Sequence, residues 1–167
     1  MNLYLLRHGL AVEPGSADYT RDADRPLTPK GERKLWRVAE AMNALGLSFD
    51  RIVSSPYVRA RQTAELVAQA VGLRKRLEFT DALLPGASPT SVVAWLKRLE
   101  PAPDDVLLVG HEPGLSALVS LLVAGDASLA LDLKKGGLCK LSAESLAARR
   151  PAVLEWLLTP KQMQLMA

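Results

Sequence analysis

The sequence predicts an α/β sandwich of three layers with a mostly parallel central sheet. Short apolar runs, typical of strands buried on both faces, recur along the 167-residue chain. Segments with helical periodicity separate most of these runs. Strands that are connected through helices form parallel sheets with helices on both faces, so this alternation favours the three-layer arrangement. The length suits a single domain spanning residues 1–167.

The first predicted strand is the apolar run that ends at Leu6, and Arg7, His8 and Gly9 follow it directly. Gly9 can adopt backbone conformations closed to other residues, which predicts a sharp turn there. A charged and a titratable side chain at the carboxyl end of a buried strand match the place where open α/β sheets bind ligands. By itself the pair is explained equally well as solvated residues where a strand reaches the surface.

The first two helices along the chain are predicted from the same start signal, a capping residue followed by proline. Thr28 and Pro29 begin the first helix. Ser55 and Pro56 begin the second, directly after a predicted strand at residues 51–55.

Gly31 lies in the first turn of the first of these helices, where glycine is a poor helix former. One explanation is that the helix tolerates this weakness. The other is that a neighbouring group approaches the backbone closely at this position.

The remaining predicted elements continue the alternation. They are a short strand (77–79), a helix after Ser88, a strand (106–109), a helix (115–123) and two further strands (138–141 and 153–158). Residues 142–150 are predicted to hold at least one helical turn, whereas the tail, residues 159–167, shows no clear period. Because only a short connection separates the last two strands, one of them could be an antiparallel member at the sheet edge.

Composition limits the classes of function. The net charge is only +3 and no run of five basic residues occurs, so nucleic-acid binding has no specific support, whereas a pocket for an anionic substrate would use the excess charge. Cys139 is the single cysteine, which excludes an intrachain disulfide and fits a reducing compartment. Two histidines without zinc-type cysteine spacing exclude a His-rich metal site. With neither a secretory signal nor an apolar stretch long enough to span a bilayer, we expect a cytoplasmic protein without membrane partners.

Chemically active side chains follow three of the predicted strands. Arg7 and His8 come after the first strand, Arg59 lies near the start of the helix after the second, and His111 follows the strong strand that ends at Val109. Because the carboxyl ends of parallel strands meet at one edge of a sheet, we expect both histidines and both arginines to share a rim. Chance is a poor explanation for that placement of both histidines.

This set of side chains suits phosphate chemistry. Arginine offers a planar fork of donors that binds phosphate oxygens at any relevant pH, and each charge-assisted hydrogen bond is worth roughly 1.5–3 kcal/mol net. An imidazole between two arginines can donate to phosphate, or it can attack phosphorus and become phosphorylated. Neighbouring cations lower the pKa of His8 and would keep it neutral, although a bound dianion acts in the opposite direction. A backbone carbonyl that accepts from one ring nitrogen would leave the other as the nucleophile.

Four segments resemble the motifs of the histidine phosphatase superfamily and occur in the superfamily's order. They are Leu6-Arg7-His8-Gly9, Arg25-Pro26-Leu27-Thr28-Pro29-Lys30-Gly31, Ser54-Ser55-Pro56-Tyr57-Val58-Arg59-Ala60-Arg61-Gln62-Thr63-Ala64 and Val109-Gly110-His111. The short length and the Arg-Pro-Leu-Thr sequence resemble the compact SixA-type phosphohistidine phosphatases in particular. The resemblance covers nearly the whole chain and implies the phosphoglycerate-mutase-like α/β sandwich, with no metal or other cofactor.

The resemblance also implies roles for individual residues. His8 would be the catalytic nucleophile that forms a phosphohistidine intermediate. Arg7, Arg59 and His111 would bind the phosphoryl group, and Arg25 would add positive charge at the mouth of the pocket. The implied activity is removal of phosphate from phosphohistidine on a protein, such as a histidine phosphotransfer domain of a signalling relay.

The proton donor is less well defined. Larger members of the superfamily carry an acidic residue in a segment that this short chain lacks, and Glu112 is the best candidate here, ahead of Asp22, Asp24 and Asp81. Glu112 is also explained as an acid stabilised by the dipole at a helix N-terminus. A site with a marginal acid favours a phosphoramidate substrate, whose P–N bond is labile, over an alkyl phosphate, whose alkoxide needs a proton.

Three other functions stay open at this point. They are a phosphatase for a small phosphorylated metabolite or a short polyphosphate, a mutase, and a non-catalytic phosphate-binding module. A mutase must retain and reorient its substrate, and the chain has little material for the lid that this needs. The presence of both histidines and both arginines argues against a module that only binds.

Overall fold

The computed structural model of the protein describes residues 1–146 and 151–167, which form one sheet with helices on both faces. The strands are β1 Asn2–Arg7, β2 Arg51–Ser54, β3 Leu77–Phe79, β4 Asp105–Gly110, β5 Leu138–Ala143 and β6 Ala152–Leu158. The helices are α1 Pro29–Ala44, α2 Val58–Ala70, α3 Pro89–Leu96, α4 Gly114–Ala124 and α5 Pro160–Gln164. Short 3-10 turns lie at Asp22–Asp24, Arg74–Arg76 and Asp81–Leu83. The strands predicted from the apolar runs are present, with small changes in their bounds.

The sheet has the strand order β3-β2-β4-β1-β5-β6. The first four strands along the chain, β1 to β4, are parallel to one another, which confirms the mostly parallel sheet. The antiparallel strand is β5, which lies between β1 and β6 and not at the edge of the sheet as predicted, because β5 runs antiparallel to both of these neighbours. As a result Leu138, at the start of β5, pairs with Leu6 near the end of β1. The turn that precedes β5 therefore lies at the same edge of the sheet as the carboxyl ends of the parallel strands.

Alternate residues of the central strand β1 point to two separate cores. Tyr4 and Leu6 belong to the core shared with α1, α2 and α5, whereas Leu3 and Leu5 belong to the core shared with α3 and α4. Burial of a leucine side chain stabilises the folded state by roughly 1.5–3 kcal/mol. The predicted three-layer sandwich is thus confirmed, with the sheet between two helical layers. Within the described ranges no helix is both long and apolar enough to cross a membrane.

The predicted helix caps are confirmed at α1 and α3 and wrong at α2. The Thr28 hydroxyl accepts from the backbone N–H of Gly31 at 3.0 Å, and Ser88 caps α3 in the same way. Ser55, in contrast, does not cap α2, which begins at Val58 with Tyr57 as its N-cap residue and without a side-chain cap. The hydroxyl of Ser55 lies beside His111 Nε2 instead, so a capping residue followed by proline predicts the wrong start for this helix.

The prediction for the C-terminal quarter was partly wrong. Strand β5 continues to Ala143, so no helical turn begins at Ser142; residues 147–150 of that prediction lie outside the described part of the chain. The tail forms α5, which the sequence reasoning missed because five residues are too few to show a helical period. Thr159 and Gln162 form a capping box at its start, a signal that could have identified it.

Two glycines support the loop that leads from β1 to α1, and both do so by lacking a side chain. A Cβ at Gly31 would lie 2.1 Å from the carbonyl oxygen of Leu10, which confirms that another group approaches the backbone closely there. The reason predicted for glycine at position 9, a backbone conformation closed to other residues, was wrong in that Gly9 is not among the glycines with positive φ. A Cβ at Gly9 would instead collide with the side chain of Leu35, so packing against α1 is the reason for glycine at this position.

Candidate active site

The structure brings His8, Arg59 and His111 together at the carboxyl ends of β1, β2 and β4, as the sequence predicts. The ring centroids of His8 and His111 are 5.1 Å apart, and Arg59 Nε lies 3.2 Å from His8 Nε2. All three residues are buried. These residues meet because each lies shortly after the carboxyl end of its strand, and the carboxyl ends of parallel strands lie at one edge of the sheet.

The two ring nitrogens of His8 have different partners. Nδ1 lies 2.7 Å from the carbonyl oxygen of Gly9, so Nδ1 carries the proton and donates it to that oxygen. Nε2 then has the lone pair, and Arg59 Nε–H donates to it. A backbone carbonyl therefore holds His8 in the tautomer whose free electron pair lies on Nε2.

Burial lowers the pKa of His8 from its ordinary value of 6.5 to about 4. The positive charges of Arg59, Arg7 and Lys135 act in the same direction, whereas the hydrogen bond to Gly9 acts in the opposite direction. The imidazole is consequently neutral at neutral pH, which a histidine nucleophile requires.

Arg59, in the first turn of α2, is held by both a histidine and an aspartate. Its Nη1 and Nη2 groups donate to the backbone oxygen and to the Oδ2 of Asp22, at 2.7 and 2.9 Å. The guanidinium carbon lies 5.3 Å from the centroid of the Tyr57 ring. The carboxylate of Asp22 thus takes part of the donor fork that arginine would offer to a phosphate.

Arg25 joins this cluster through the same aspartate. Its Nε donates to Asp22 Oδ1 at 2.8 Å and its Nη1 to the carbonyl oxygen of Val12 at 2.5 Å. Partial burial would raise the pKa of Asp22, but the hydrogen bonds from Arg25 and Arg59 outweigh it and hold that pKa below the ordinary value. Asp22 is accordingly a poor proton donor. Arg25 reaches the pocket through its carboxylate partner, and a direct role of Arg25 in phosphate binding stays a prediction.

His111 is held by Ser55 and Tyr57. Its Nε2 lies 2.9 Å from the hydroxyl oxygen of Ser55, and the edge of its ring packs on Tyr57 with centroids 5.5 Å apart. The pKa of His111 is lowered to about 3, mainly by burial and also by the nearby His8 and Arg59, while Asp22 acts in the opposite direction. His111 is therefore neutral as well.

Three buried polar atoms have no hydrogen-bond partner in the described part of the chain: Arg7 Nε, His111 Nδ1 and Glu112 Oε1. All three belong to residues that the sequence reasoning assigned to the site. Arg7 is otherwise anchored, because its Nη1 donates to the carbonyl oxygen of Leu133 at 2.9 Å. A buried polar atom left without a partner costs roughly 1–3 kcal/mol, so its presence in a native fold calls for an explanation, and a bound ligand is one that fits all three atoms.

Glu112 fits the role of an acid better than the other candidates. Its Oε2 accepts from the hydroxyl of Ser116, and burial raises its pKa, although Ser116 and Arg7 offset part of this effect. A raised carboxyl pKa is typical of catalytic acids. Asp24 and Asp81, in contrast, are exposed, and Asp24 pairs with the exposed Arg21.

The turn at residues 134–137 is predicted from the sequence, but its place in the site is not. The backbone N–H of Gly136 donates to the carbonyl oxygens of Arg7 and His8, and the charge of Lys135 contributes to the low pKa of His8. The Lys-Lys-Gly-Gly turn is visible in the sequence, but its place beside β1 depends on the antiparallel pairing of β5. Within residues 1–146 and 151–167, no group of three or more His, Cys, Asp or Glu side chains is placed to hold a metal ion.

Comparison with known proteins identifies the family. The model of the histidine phosphatase superfamily (branch 1) matches residues 3–83. Phosphohistidine phosphatase SixA of Escherichia coli (strain K12) is 30% identical over 127 residues, which cover 75% of this chain and 76% of that protein. The structure of the protein histidine phosphatase SixA complexed with tungstate shares the fold, with a TM-score of 0.82 and 23% identity over 96% of this chain and 98% of that chain. Alpha-ribazole phosphatase from Shigella flexneri shares it at a TM-score of 0.68 and 19% identity, over 96% of this chain and 97% of that chain. This chain therefore belongs to the histidine phosphatase superfamily and is an enzyme related to its SixA-type phosphatases.

Proposed function

We propose that the protein is a metal-independent phosphatase in which His8 forms a phosphohistidine intermediate, and that its substrate is phosphohistidine on a protein. One observation carries the proposal. The site contains a neutral His8 whose lone pair lies on Nε2, together with buried polar atoms that have no partner in the described chain, on Arg7, His111 and Glu112. Two donors, an acid and a nucleophile are the groups that phosphoryl transfer to an enzyme side chain uses.

His8 would act in two steps. In the first, its Nε2 lone pair attacks phosphorus, so that a P–N bond forms while the bond to the leaving group breaks and its electron pair stays with the leaving group. Arg59 Nε–H, which donates to Nε2 in the free enzyme, has to turn to a phosphoryl oxygen at this stage. In the second step water attacks phosphorus, the P–N bond breaks, and inorganic phosphate leaves with His8 restored.

Arg7, Arg59 and His111 would bind the phosphoryl oxygens. Each arginine contact is a charge-assisted hydrogen bond worth roughly 1.5–3 kcal/mol net. Part of the Arg59 fork is taken by Asp22, so phosphate has to compete with that carboxylate. Arg25, which holds the other oxygen of Asp22, would keep positive charge at the mouth when Asp22 moves away.

Glu112 would supply the proton to the leaving group and then accept a proton from the attacking water. Its half-buried carboxyl has a raised pKa and an Oε1 atom without a partner in the described chain, which suits a group that exchanges protons with a ligand. Ser116, one turn into α4, anchors the other oxygen. The protein-phosphohistidine substrate is supported by the similarity to E. coli SixA and by the lability of the P–N bond.

A second candidate is a phosphatase for a small phosphorylated metabolite or a short polyphosphate. The raised pKa of Glu112 favours it, because a carboxyl group that keeps its proton to higher pH can also assist an alkoxide leaving group, typically by about 10²–10⁴-fold. Alpha-ribazole phosphatase shows that the same fold also serves a small-molecule enzyme.

The test of catalysis is a rapid-quench experiment with a phosphohistidine protein labelled on its phosphate. We expect an enzyme-bound label that is stable in alkali and lost in acid, and that does not form in His8→Ala. His111→Ala serves as the control, since it removes the other histidine and should still form the label, only more slowly. Binding of the substrate by the wild type without label or turnover would identify a phosphate-binding module instead.

The test of the substrate class is a comparison of kcat/KM for a phosphohistidine protein, phosphoramidate, an aryl phosphate and sugar phosphates. We expect the phosphohistidine protein to be preferred over sugar phosphates by about 10²-fold or more, since its leaving group needs little help from an acid. Comparable values would favour the second candidate.

A further inference from the structure

Ser55 belongs to the motif that carries Arg59, yet neither helix capping nor the proposed steps give it a role. It lies directly after β2 and is fully buried. Its hydroxyl oxygen accepts from the backbone N–H of Tyr57 at 3.3 Å and lies 2.9 Å from His111 Nε2. These are the contacts of this hydroxyl within the described residues.

The position of the hydroxyl proton decides how His111 is protonated. Because the Ser55 oxygen already accepts from Tyr57, its own O–H needs an acceptor, and in the described chain His111 Nε2 is the acceptor within reach. If Nε2 carried a proton instead, the buried O–H of Ser55 would have no acceptor, at a cost of roughly 1–3 kcal/mol. When Ser55 donates, Nε2 holds the lone pair and the proton of the neutral ring lies on Nδ1.

Nδ1 of His111 is the ring nitrogen that has no partner in the described chain. As a protonated nitrogen it offers an N–H donor to a phosphoryl oxygen, whereas as an unprotonated nitrogen it would present a lone pair that repels the same oxygen. The ring stays in place because its edge packs on Tyr57 and its other nitrogen is tied to Ser55. Burial and the charges of Arg59 and Arg25 keep the ring neutral against the opposing charge of Asp22, so the ring carries one proton, on one of its two nitrogens.

We propose that Ser55 is a positioning residue that holds His111 in the Nδ1-protonated tautomer, so that the phosphoryl group of the substrate meets an N–H donor. The proposal rests on the proposed function for its consequence, phosphate binding, but the tautomer is a property of the free protein. The serine of the Ser-x-x-x-Arg motif and the second histidine thereby form one hydrogen-bonded unit across β2 and β4.

The tautomer can be measured directly, because the chain has only two histidines. Long-range ¹H–¹⁵N correlation spectra of the imidazole rings at neutral pH distinguish protonated from unprotonated ring nitrogens, and His8→Ala assigns the two sets of signals. We expect the wild-type His111 to be protonated on Nδ1. A His111 protonated on Nε2 in the wild-type protein would overturn the proposal without any variant of Ser55.

The variant that tests the serine is Ser55→Ala, and Ser54→Ala is its matched control. Ser54 is equally buried and adjacent, but its hydroxyl donates to the carbonyl oxygen of Ser55 and does not contact His111. In Ser55→Ala we expect the His111 signals to shift toward the Nε2-protonated form, while those of His8, whose Nδ1 is tied to Gly9, stay unchanged. Unchanged His111 signals in Ser55→Ala would overturn the proposal.

Phosphate binding is measured on the same samples by calorimetric titration with inorganic phosphate. We expect Ser55→Ala to weaken binding by about 10-fold or more, the effect of losing one charge-assisted hydrogen bond, and Ser54→Ala to bind like the wild type. A shifted tautomer with unchanged phosphate affinity would overturn the role in binding. The expected tautomer and affinities in a protein that hydrolyses no phosphorylated substrate would support the role of Ser55 and contradict the proposed function alone.

Discussion

The two histidines show how the same side chain at the end of two parallel strands can be presented in opposite ways. His8 and His111 are both buried, both neutral and only 5.1 Å apart between ring centroids. At His8, the carbonyl of Gly9 accepts from Nδ1, which leaves an electron pair on Nε2. At His111, Ser55 holds Nε2 and leaves Nδ1 without a partner in the described chain. The hydrogen-bond partner, a carbonyl for one ring and a hydroxyl for the other, decides which nitrogen is available and for what purpose.

The largest expected effect comes from removing the lone pair of His8. His8→Ala should lower kcat for the phosphohistidine substrate by at least about 10⁴-fold, because no other group can take over a covalent step. Steady-state kinetics with a malachite-green phosphate assay would measure it. The control is circular dichroism of the variant, which should match the wild type. Retention of a tenth or more of the activity would contradict the assignment of the nucleophile.

Replacements of His111 by amides sharpen the comparison. An asparagine places an amide N–H near the position of Nδ1, and a glutamine places it near Nε2, so the two variants test which nitrogen matters. We expect His111→Gln to lose about 10²–10³-fold in kcat/KM, as when one donor to a developing charge is removed, and His111→Asn to lose markedly less. The opposite order would show that Nε2 is the nitrogen that contacts the substrate.

Both histidines should make stability depend on pH in the same direction. Their pKa values are about 4 and about 3 in the folded protein, below the ordinary 6.5. Between pH 6.5 and these lower values, the unfolded chain therefore binds more protons than the folded protein does. The two histidines contribute fully to the free energy of unfolding above pH 6.5. As the pH falls toward 4 and then 3, this free energy decreases by a few kcal/mol.

Urea titrations at a series of pH values would measure this loss. The variants His8→Ala and His111→Ala should each flatten the slope between pH 6.5 and 4 relative to the wild type. An unchanged slope in both variants would show that other groups carry the acid sensitivity.

The smallest expected effect concerns Asp22, the carboxylate that pairs with Arg59. Asp22→Asn removes the charge that competes with phosphate for Arg59, so we expect inorganic phosphate to bind about 2- to 5-fold more tightly, the range of an ion pair whose carboxylate is half exposed. Asp24→Asn is the control, since Asp24 lies on the same turn but pairs with Arg21. Weaker binding in Asp22→Asn would mean that the carboxylate holds Arg59 in its working position.

The rim was predictable because it follows from local patterns. Apolar runs form the strands that end at Arg7, Ser54 and Gly110, and these strands are parallel, so their carboxyl ends meet at one edge whatever the details of the helices. That rule alone places His8, and the residues that follow the other two strands, in one pocket. The start of α2 was not predictable in the same way. The hydroxyl of Ser55, the predicted cap, hydrogen-bonds to His111, which is distant in the chain.

The sequence by itself determined the layers, the parallel half of the sheet and the four side chains that share the rim, since strand and helix periods are local and strand ends converge by geometry. Only the tertiary structure decided which nitrogen of each histidine is free, which carboxylate lies on Arg59 and which turn supports His8. Asp22 lies in a loop without periodicity, Lys135 reaches His8 through the antiparallel pairing of β5, and Ser55 meets His111 across two strands. These contacts join residues far apart in the chain, and a local pattern holds no information about them until the sheet has formed.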